Sequence, residues 1–168
     1  MGRSLPAATK SAVNPSLKLA QRLALGVPAL LLAGAYLSEY GFGLYPCEMC
    51  WWQRYAHFAG MALALVSTVA RPRPVWIGLA GAAILVSGVI GGFHAGVEYH
   101  WWEGLTGCTA PVAAAGVDPL EAIMNAPLVR CDQAAWTWLG VSLAGFNALI
   151  SVVSALAIFA LLVIAHRR

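Results

Sequence analysis

The chain has 168 residues, of which 60% are hydrophobic and only 10% charged, and its net charge is +3. A soluble domain is roughly 45–50% apolar and about 25% charged, so the composition excludes an ordinary soluble fold and a disordered chain. The small net charge argues against a nucleic-acid partner, and the length suits one domain whose solvent is a lipid bilayer.

A membrane helix needs about 20 mainly apolar residues, and four stretches qualify: 19–38, 50–70, 75–94 and 141–165. The first has basic residues ahead of an apolar core, as a signal peptide does. Three further spans follow it and no clear A-x-A site precedes the next loop, so it is expected to persist as a helix. Pro28 within it predicts a kink. In the second span Arg54 is an intramembrane charge that calls for a function, whereas Arg22 at the start of the first can snorkel to the interface. The third span is rich in small residues, and Gly88 and Gly92 make a GxxxG pair that predicts close packing within the bundle.

Orientation follows the basic residues. Arg3, Lys10, Lys18 and Arg22 precede the first span, Arg71 and Arg73 lie in or beside the 71–74 turn, and Arg167 and Arg168 follow the last. That side is assigned to the cytoplasm, with both termini. Trp51, Trp52, Trp101, Trp102, Trp136 and Trp138 fall on the other side as an interfacial belt. The outer side then holds a short loop, 39–49, and a long one, 95–139. Within the long loop, 117–124 reads as a short amphipathic interfacial helix. Asp118 caps it, Pro119 takes its first position, and Leu120, Ile123 and Met124 share one face.

All four cysteines, Cys47, Cys50, Cys108 and Cys131, lie on the outer side. Cys47 and Cys50 form a C-x-x-C at the mouth of the second span, where the positive end of the helix dipole favours a thiolate. Cys108 and Cys131 do not repeat that spacing, so a four-cysteine zinc site is a poor fit and no metal is expected. A structural disulfide and a redox pair both remain open from cysteine placement alone. Arg54 lies one turn beyond Cys50 on the same face, where it would stabilise a thiolate or an electron-rich oxygen, and Gln53 adds an amide. These two tip the balance toward redox chemistry. Two alternatives are a bis-histidine haem site from His57 and His94 and a non-catalytic scaffold with two structural disulfides. Neither explains the cysteines together with Arg54.

The run Pro46-Cys47-Glu48-Met49-Cys50-Trp51-Trp52-Gln53-Arg54 resembles the P-C-x-x-C-x-x-[EQ]-R signature of the disulfide bond formation protein B family, DsbB. The resemblance covers the whole plan and implies an all-α, four-transmembrane-helix bundle of the bacterial inner membrane. It implies a thiol oxidoreductase that re-oxidises a periplasmic DsbA-like thiol oxidase and passes the electrons to a membrane quinone. Ubiquinone is preferred to menaquinone on family habit. By the same resemblance, Cys108 and Cys131 face the protein partner and Cys47 and Cys50 face the quinone. The partner's thiolate attacks Cys108, Cys131 then attacks Cys47, and Cys50 is released as a thiolate, with Arg54 at the quinone oxygen. A histidine near the quinone is also implied, and both His94 and His100 qualify. Glu48 beside the thiols adds a negative charge that opposes the dipole.

Overall fold

The structure is a computed structural model that describes residues 14–105 and 129–167. Cys108 and the expected 117–124 helix lie outside the described residues. Four helices dominate: α1 (Pro15–Phe42), α2 (Glu48–Val69), α3 (Arg73–Glu98) and α4 (Leu143–His166). Of these, α1, α3 and α4 are long and apolar enough to cross a membrane. α2 has 22 residues, and Glu48, Gln53, Arg54 and His57 make its outer half more polar than the other three.

Local sequence sets the helix ends. Asn14 caps α1 by accepting from the Ser16 N–H, and Pro15 occupies the first turn, where no N–H is missed. The helix continues through the buried Pro28 and stops at Gly43, whose φ of 68° is a left-handed value that glycine adopts freely. It thus runs past the expected end at 38 and takes Glu39 into its last turns. α3 likewise runs to Glu98 where hydropathy placed its end at 94. Each extension takes in an acid that hydropathy reads as a loop residue. Here both side chains are largely shielded, and each has a partner on the protein.

Between the described loop and α4, β1 (Thr137–Trp138) and β2 (Val141–Ser142) pair antiparallel, Thr137 opposite Ser142 and Trp138 opposite Val141. Leu139 and Gly140 turn between them with φ of 50° and 77°, the two positive values of a type I′ hairpin. Tyr99 fastens this hairpin to the end of α3: its hydroxyl donates to Gly140 O at 2.8 Å and accepts from Ser142 N–H at 2.9 Å. This hairpin was not legible in the hydropathy pattern, which ran the segment straight into the last span.

α3 packs against both α2 and α4, and α1 closes the bundle against α2 and α4. The α3–α4 contact is close because glycines line it. A Cβ on Gly91 would lie 2.9 Å from Ala144 O, and one on Gly88 would lie 3.0 Å from Ser151 Cβ, while one on Gly92 would meet only Ala148 Cβ at 3.9 Å. The small-residue stripe is therefore intramolecular packing, carried by Gly88 and Gly91. Leu30, Leu65, Val86, Val153 and Leu156 point outward and are exposed, as a lipid-facing surface requires. Asn14 donates to Ala165 O at 3.3 Å, so the start of α1 and the end of α4 share one end of the bundle.

One polar cluster crosses the apolar interior. Asn147 on α4 donates to Gln53 Oε1 on α2 at 2.8 Å and to Ser87 O on α3 at 3.2 Å. Its Oδ1 accepts from His57 Nε2 at 2.8 Å and from Ser151 Oγ at 3.0 Å. Buried polar groups persist in such surroundings only when partnered in this way.

Candidate functional site

The candidate site lies at the opposite end of the bundle from the termini, where α2 begins. The Pro46-Cys47 sequence ends the turn after α1, and Cys47 takes the N-cap position of α2, its Sγ accepting from Cys50 N–H at 3.4 Å. Capping draws the two sulfurs together: Cys47 Sγ donates to Cys50 Sγ at 3.1 Å. Cys50, inside the first turn, has the helix dipole behind it. Cys47 lies ahead of the helix, and its contact with Cys50 together with burial pushes its thiol up to about 12. Of the two, Cys47 keeps its proton and Cys50 is the sulfur set to carry charge.

The third sulfur comes from a distant part of the chain. Cys131 is buried, and its Sγ, Cys47 Sγ and a ring nitrogen of His94 all lie within 4.8 Å of one another. Met49, Val97, Phe93 and Val129 enclose this group in apolar side chains. Beyond Cys131, Asp132 is partly exposed and pairs with Arg130, whose guanidinium holds its carboxyl below the usual range.

His94 is buried between the sulfurs and the polar cluster. Its Nε2 lies 3.5 Å from Cys47 Sγ and 3.7 Å from Glu98 Oε1, one turn further along α3. Its Nδ1 lies 3.0 Å from Gln53 Nε2. The orientation of that amide is fixed at both ends, because Gln53 Nε2 also donates to Met49 O and Gln53 Oε1 accepts from Asn147. Gln53 therefore presents an N–H to His94, whose Nδ1 must accept, and the ring proton sits on Nε2, facing the sulfurs. That arrangement suits donation to sulfur and works against metal ligation through the same nitrogen. It also separates His94 from the haem alternative, since both of its ring nitrogens are engaged and His57 Nε2 is held by Asn147.

His100, the other candidate histidine, lies elsewhere. It is exposed, has a φ of 57°, and lines a separate small pocket with Trp102 and Asp132. The structure thus brings Cys47, Cys50, Cys131, Gln53, Arg54 and His94 to one place and leaves His100 out.

Arg54 lines the same cavity as Cys50 and also has partners on α1. It faces α1, where Nη1 donates to Glu39 Oε2 at 2.5 Å and Nη2 donates to Ala35 O at 3.2 Å. The guanidinium sits between the rings of Tyr36 and Trp51, 4.7 and 4.9 Å from their centroids. Its charge is therefore neutralised inside the protein and does not snorkel to headgroups. Sequence reasoning missed Glu39 and Glu98. Their signal was each acid's place within one turn of the end of an apolar span, Glu39 directly after it and Glu98 four residues on, within reach of a basic or titratable partner.

Arg54, Cys50 and His94 share the wall of a cavity of about 500 Å³, with Leu30, Leu31 and Phe146 on its apolar side. The polar groups gather at the sulfur end. An apolar chamber with a few convergent polar groups is the usual form of a small-molecule site.

The family model described as "Disulfide bond formation protein DsbB" matches residues 18–161. The chain belongs to the DsbB family. Among curated relatives, the disulfide bond formation protein B of a Polaromonas species is 33% identical over 147 residues, covering 80% of this chain and 83% of that protein. The protein of the same name from an Azoarcus species is 32% identical, covering 72% and 76%. That from Marinobacter nauticus is 28% identical, covering 81% and 86%. No solved structure matches the chain at a significant level. Membership in this family, together with the three apolar helices, makes the chain a multi-pass membrane protein of disulfide bond formation.

Proposed function

We propose that this DsbB-family chain re-oxidises a periplasmic DsbA-like dithiol oxidase and delivers the electrons to a membrane quinone. It does so as a four-span protein of the bacterial inner membrane with both termini in the cytoplasm. The observation that carries this reading is the contiguity of three sulfurs beside a cavity. Cys131 lies within 4.8 Å of Cys47, Cys47 lies 3.1 Å from Cys50, and Cys50 lines an apolar chamber.

Thiol–disulfide exchange requires the attacking sulfur next to the attacked one, and Cys131 has that position relative to Cys47. The electrons enter at Cys108, which the partner's thiolate attacks, so that Cys131 is released to act. Its attack on Cys47 frees Cys50 as a thiolate at the head of α2. The chamber fits a quinone: its apolar wall suits an isoprenoid-substituted ring, and Arg54 and the His94 side supply polar contacts at the sulfur end. A quinone supplies a two-electron, two-proton acceptor, with ubiquinone preferred to menaquinone. Arg54 contributes a fixed positive charge that favours negative charge at Cys50 and at an acceptor oxygen. Although two of its N–H groups are engaged by α1, a guanidinium has five.

Anaerobic mixing of the purified protein with a reduced dithiol partner and a quinone, followed by quinone absorbance, tests the reading. Stoichiometric loss of the oxidised quinone band, with disulfide appearing in the partner, is the expected result. A partner that stays reduced while the quinone is untouched would overturn it.

A further inference from the structure

Where Cys131 stands as a thiol, its exchange with the Cys47–Cys50 disulfide releases a proton. Written in full, Cys131–SH and Cys47–S–S–Cys50 give Cys131–S–S–Cys47, a Cys50 thiolate and H⁺. The thiolate is the nucleophile, so the proton has to leave Cys131 as it attacks, inside a pocket walled by Met49, Val97 and Phe93. Among the described residues, the groups that face this point come from every surrounding element. His94 and Glu98 come from α3, Cys47 and Cys50 from the head of α2, Ser142 from the head of α4, and Arg130, paired with Asp132, from the segment that carries Cys131. Arg54, paired with Glu39, lines the same cavity.

His94 is the nearest imidazole, yet its free lone pair is on Nδ1 and is occupied by the Gln53 amide. Its Nε2 already carries a proton toward the sulfurs, so it is arranged to stabilise a thiolate and not to remove a proton. Arg54 is a cation with its charge matched by Glu39. Glu98 differs from both. Its side chain is only 6% exposed, Oε1 is 3.7 Å from His94 Nε2, and Oε2 is buried without a hydrogen-bond partner. Ser142 hydrogen-bonds the carboxyl, but a buried carboxylate oxygen with no partner is costly to keep, and Oε2 keeps a vacant lone pair on the carboxylate that contacts His94, whose Nε2 lies among the sulfurs. Glu98 also lines the same cavity as Cys50, so a proton taken there is held at the wall where an acceptor's oxygen must be protonated later.

We propose that Glu98 is the general base of the internal exchange. It takes the thiol proton of Cys131 as that sulfur attacks Cys47, while Gln53 acts as a positioning residue that keeps the His94 proton directed at the sulfurs. The carboxylate becomes a carboxylic acid, the S–S bond to Cys50 breaks as the bond to Cys131 forms, and no electrons enter or leave. This rests on the three-sulfur reading above.

The test uses the full chain with Cys108→Ser, oxidised at Cys47–Cys50 and reduced at Cys131, in detergent without quinone or partner. Relaxation between the Cys47–Cys50 and Cys47–Cys131 disulfides is followed by rapid acid quench, alkylation and peptide mapping across a pH series. Glu98→Gln should slow this relaxation about a hundredfold at neutral pH, in the range usual for general bases. The deficit should close as the pH rises past about 8.5, where an unassisted thiol ionises by itself. Glu98→Asp should recover part of the rate. A Glu98→Gln deficit that is the same at every pH indicates a structural role and overturns the assignment, as does an unchanged rate. A Cys108→Ser chain that forms no Cys47–Cys131 disulfide at any pH overturns the three-sulfur relay itself, and the role of Glu98 with it.

Discussion

Replacing Arg54 by methionine has two separable consequences. The side chain is 7% exposed and its partner Glu39 is 12% exposed, so the substitution leaves a shielded carboxylate without its cation and removes the guanidinium from between Tyr36 and Trp51. Breaking a buried pair from one side costs about 3–5 kcal/mol, and Arg54→Met should lower the unfolding midpoint in detergent accordingly. In the double variant Glu39→Gln/Arg54→Met the uncompensated charge is gone, and most of that loss should be regained. Catalysis should not follow stability. If Arg54 also supplies a charge-assisted hydrogen bond to the acceptor, both variants lose about 1.5–3 kcal/mol of interaction, or about ten- to hundredfold in quinone reduction at limiting quinone. Thermal unfolding by circular dichroism and anaerobic stopped-flow quinone absorbance measure the two effects on the same samples. A double variant with restored stability and wild-type turnover would refute the catalytic role and leave Arg54 as a tie between α1 and α2. A double variant as unstable as the single one would refute the charge-pair argument.

Cys108→Ser should abolish electron transfer from the dithiol partner while leaving quinone able to oxidise Cys47–Cys50. Cys50→Ser should block quinone reduction yet still trap a mixed disulfide at Cys108, as gel shift after alkylation would show. After reduction, a membrane-impermeant thiol reagent applied to spheroplasts should label the cysteines from the outer face alone, and the buried Cys47 and Cys131 more slowly than Cys50. Labelling that requires permeabilisation would reverse the topology. Gly91→Ala should destabilise the bundle by about 1–3 kcal/mol, because its Cβ would meet α4 backbone at 2.9 Å. Gly92→Ala, with its nearest neighbour at 3.9 Å, should be close to neutral in the same thermal assay.

The four helices were legible because three of them are long apolar runs and the fourth follows a recognisable C-x-x-C. Their ends were less legible. Hydropathy stops a span at the first acid, yet Glu39 and Glu98 are taken into the helices because Arg54 and His94 stand opposite them. Gln53, Cys50 and Cys131 were singled out from the sequence, but the contacts that connect them were not. That Gln53 sets the proton on His94 depends on Asn147, ninety-four positions further along the chain, and no local spacing carries such information. The choice between His94 and His100 was undecidable from spacing because the two differ by the last turn of α3. The structure separates them because the helix ends at Glu98 and turns His100 outward.

Asn147 also bears on how the bundle is assembled. α4 follows α1, α2 and α3 in the chain and is the most apolar of the three membrane-length helices, so lipid gives it little preference for one face over another. Ser151 on the same helix satisfies part of the Asn147 amide, and the remaining partners come only when α2 brings Gln53 and His57, and α3 brings Ser87, to the same depth. Insertion of α4 and its docking are therefore distinct events, and the amide rewards only one rotational setting and one depth of docking. Interhelical polar contacts of this kind contribute about 0.6–2 kcal/mol each, small beside the energy of insertion but sufficient to choose among packings that lipid alone would leave nearly equal. In this chain the rotational setting of the last helix and the proton position on His94 are thus decided by the same side chain, so an error in assembly would also be an error in the redox centre.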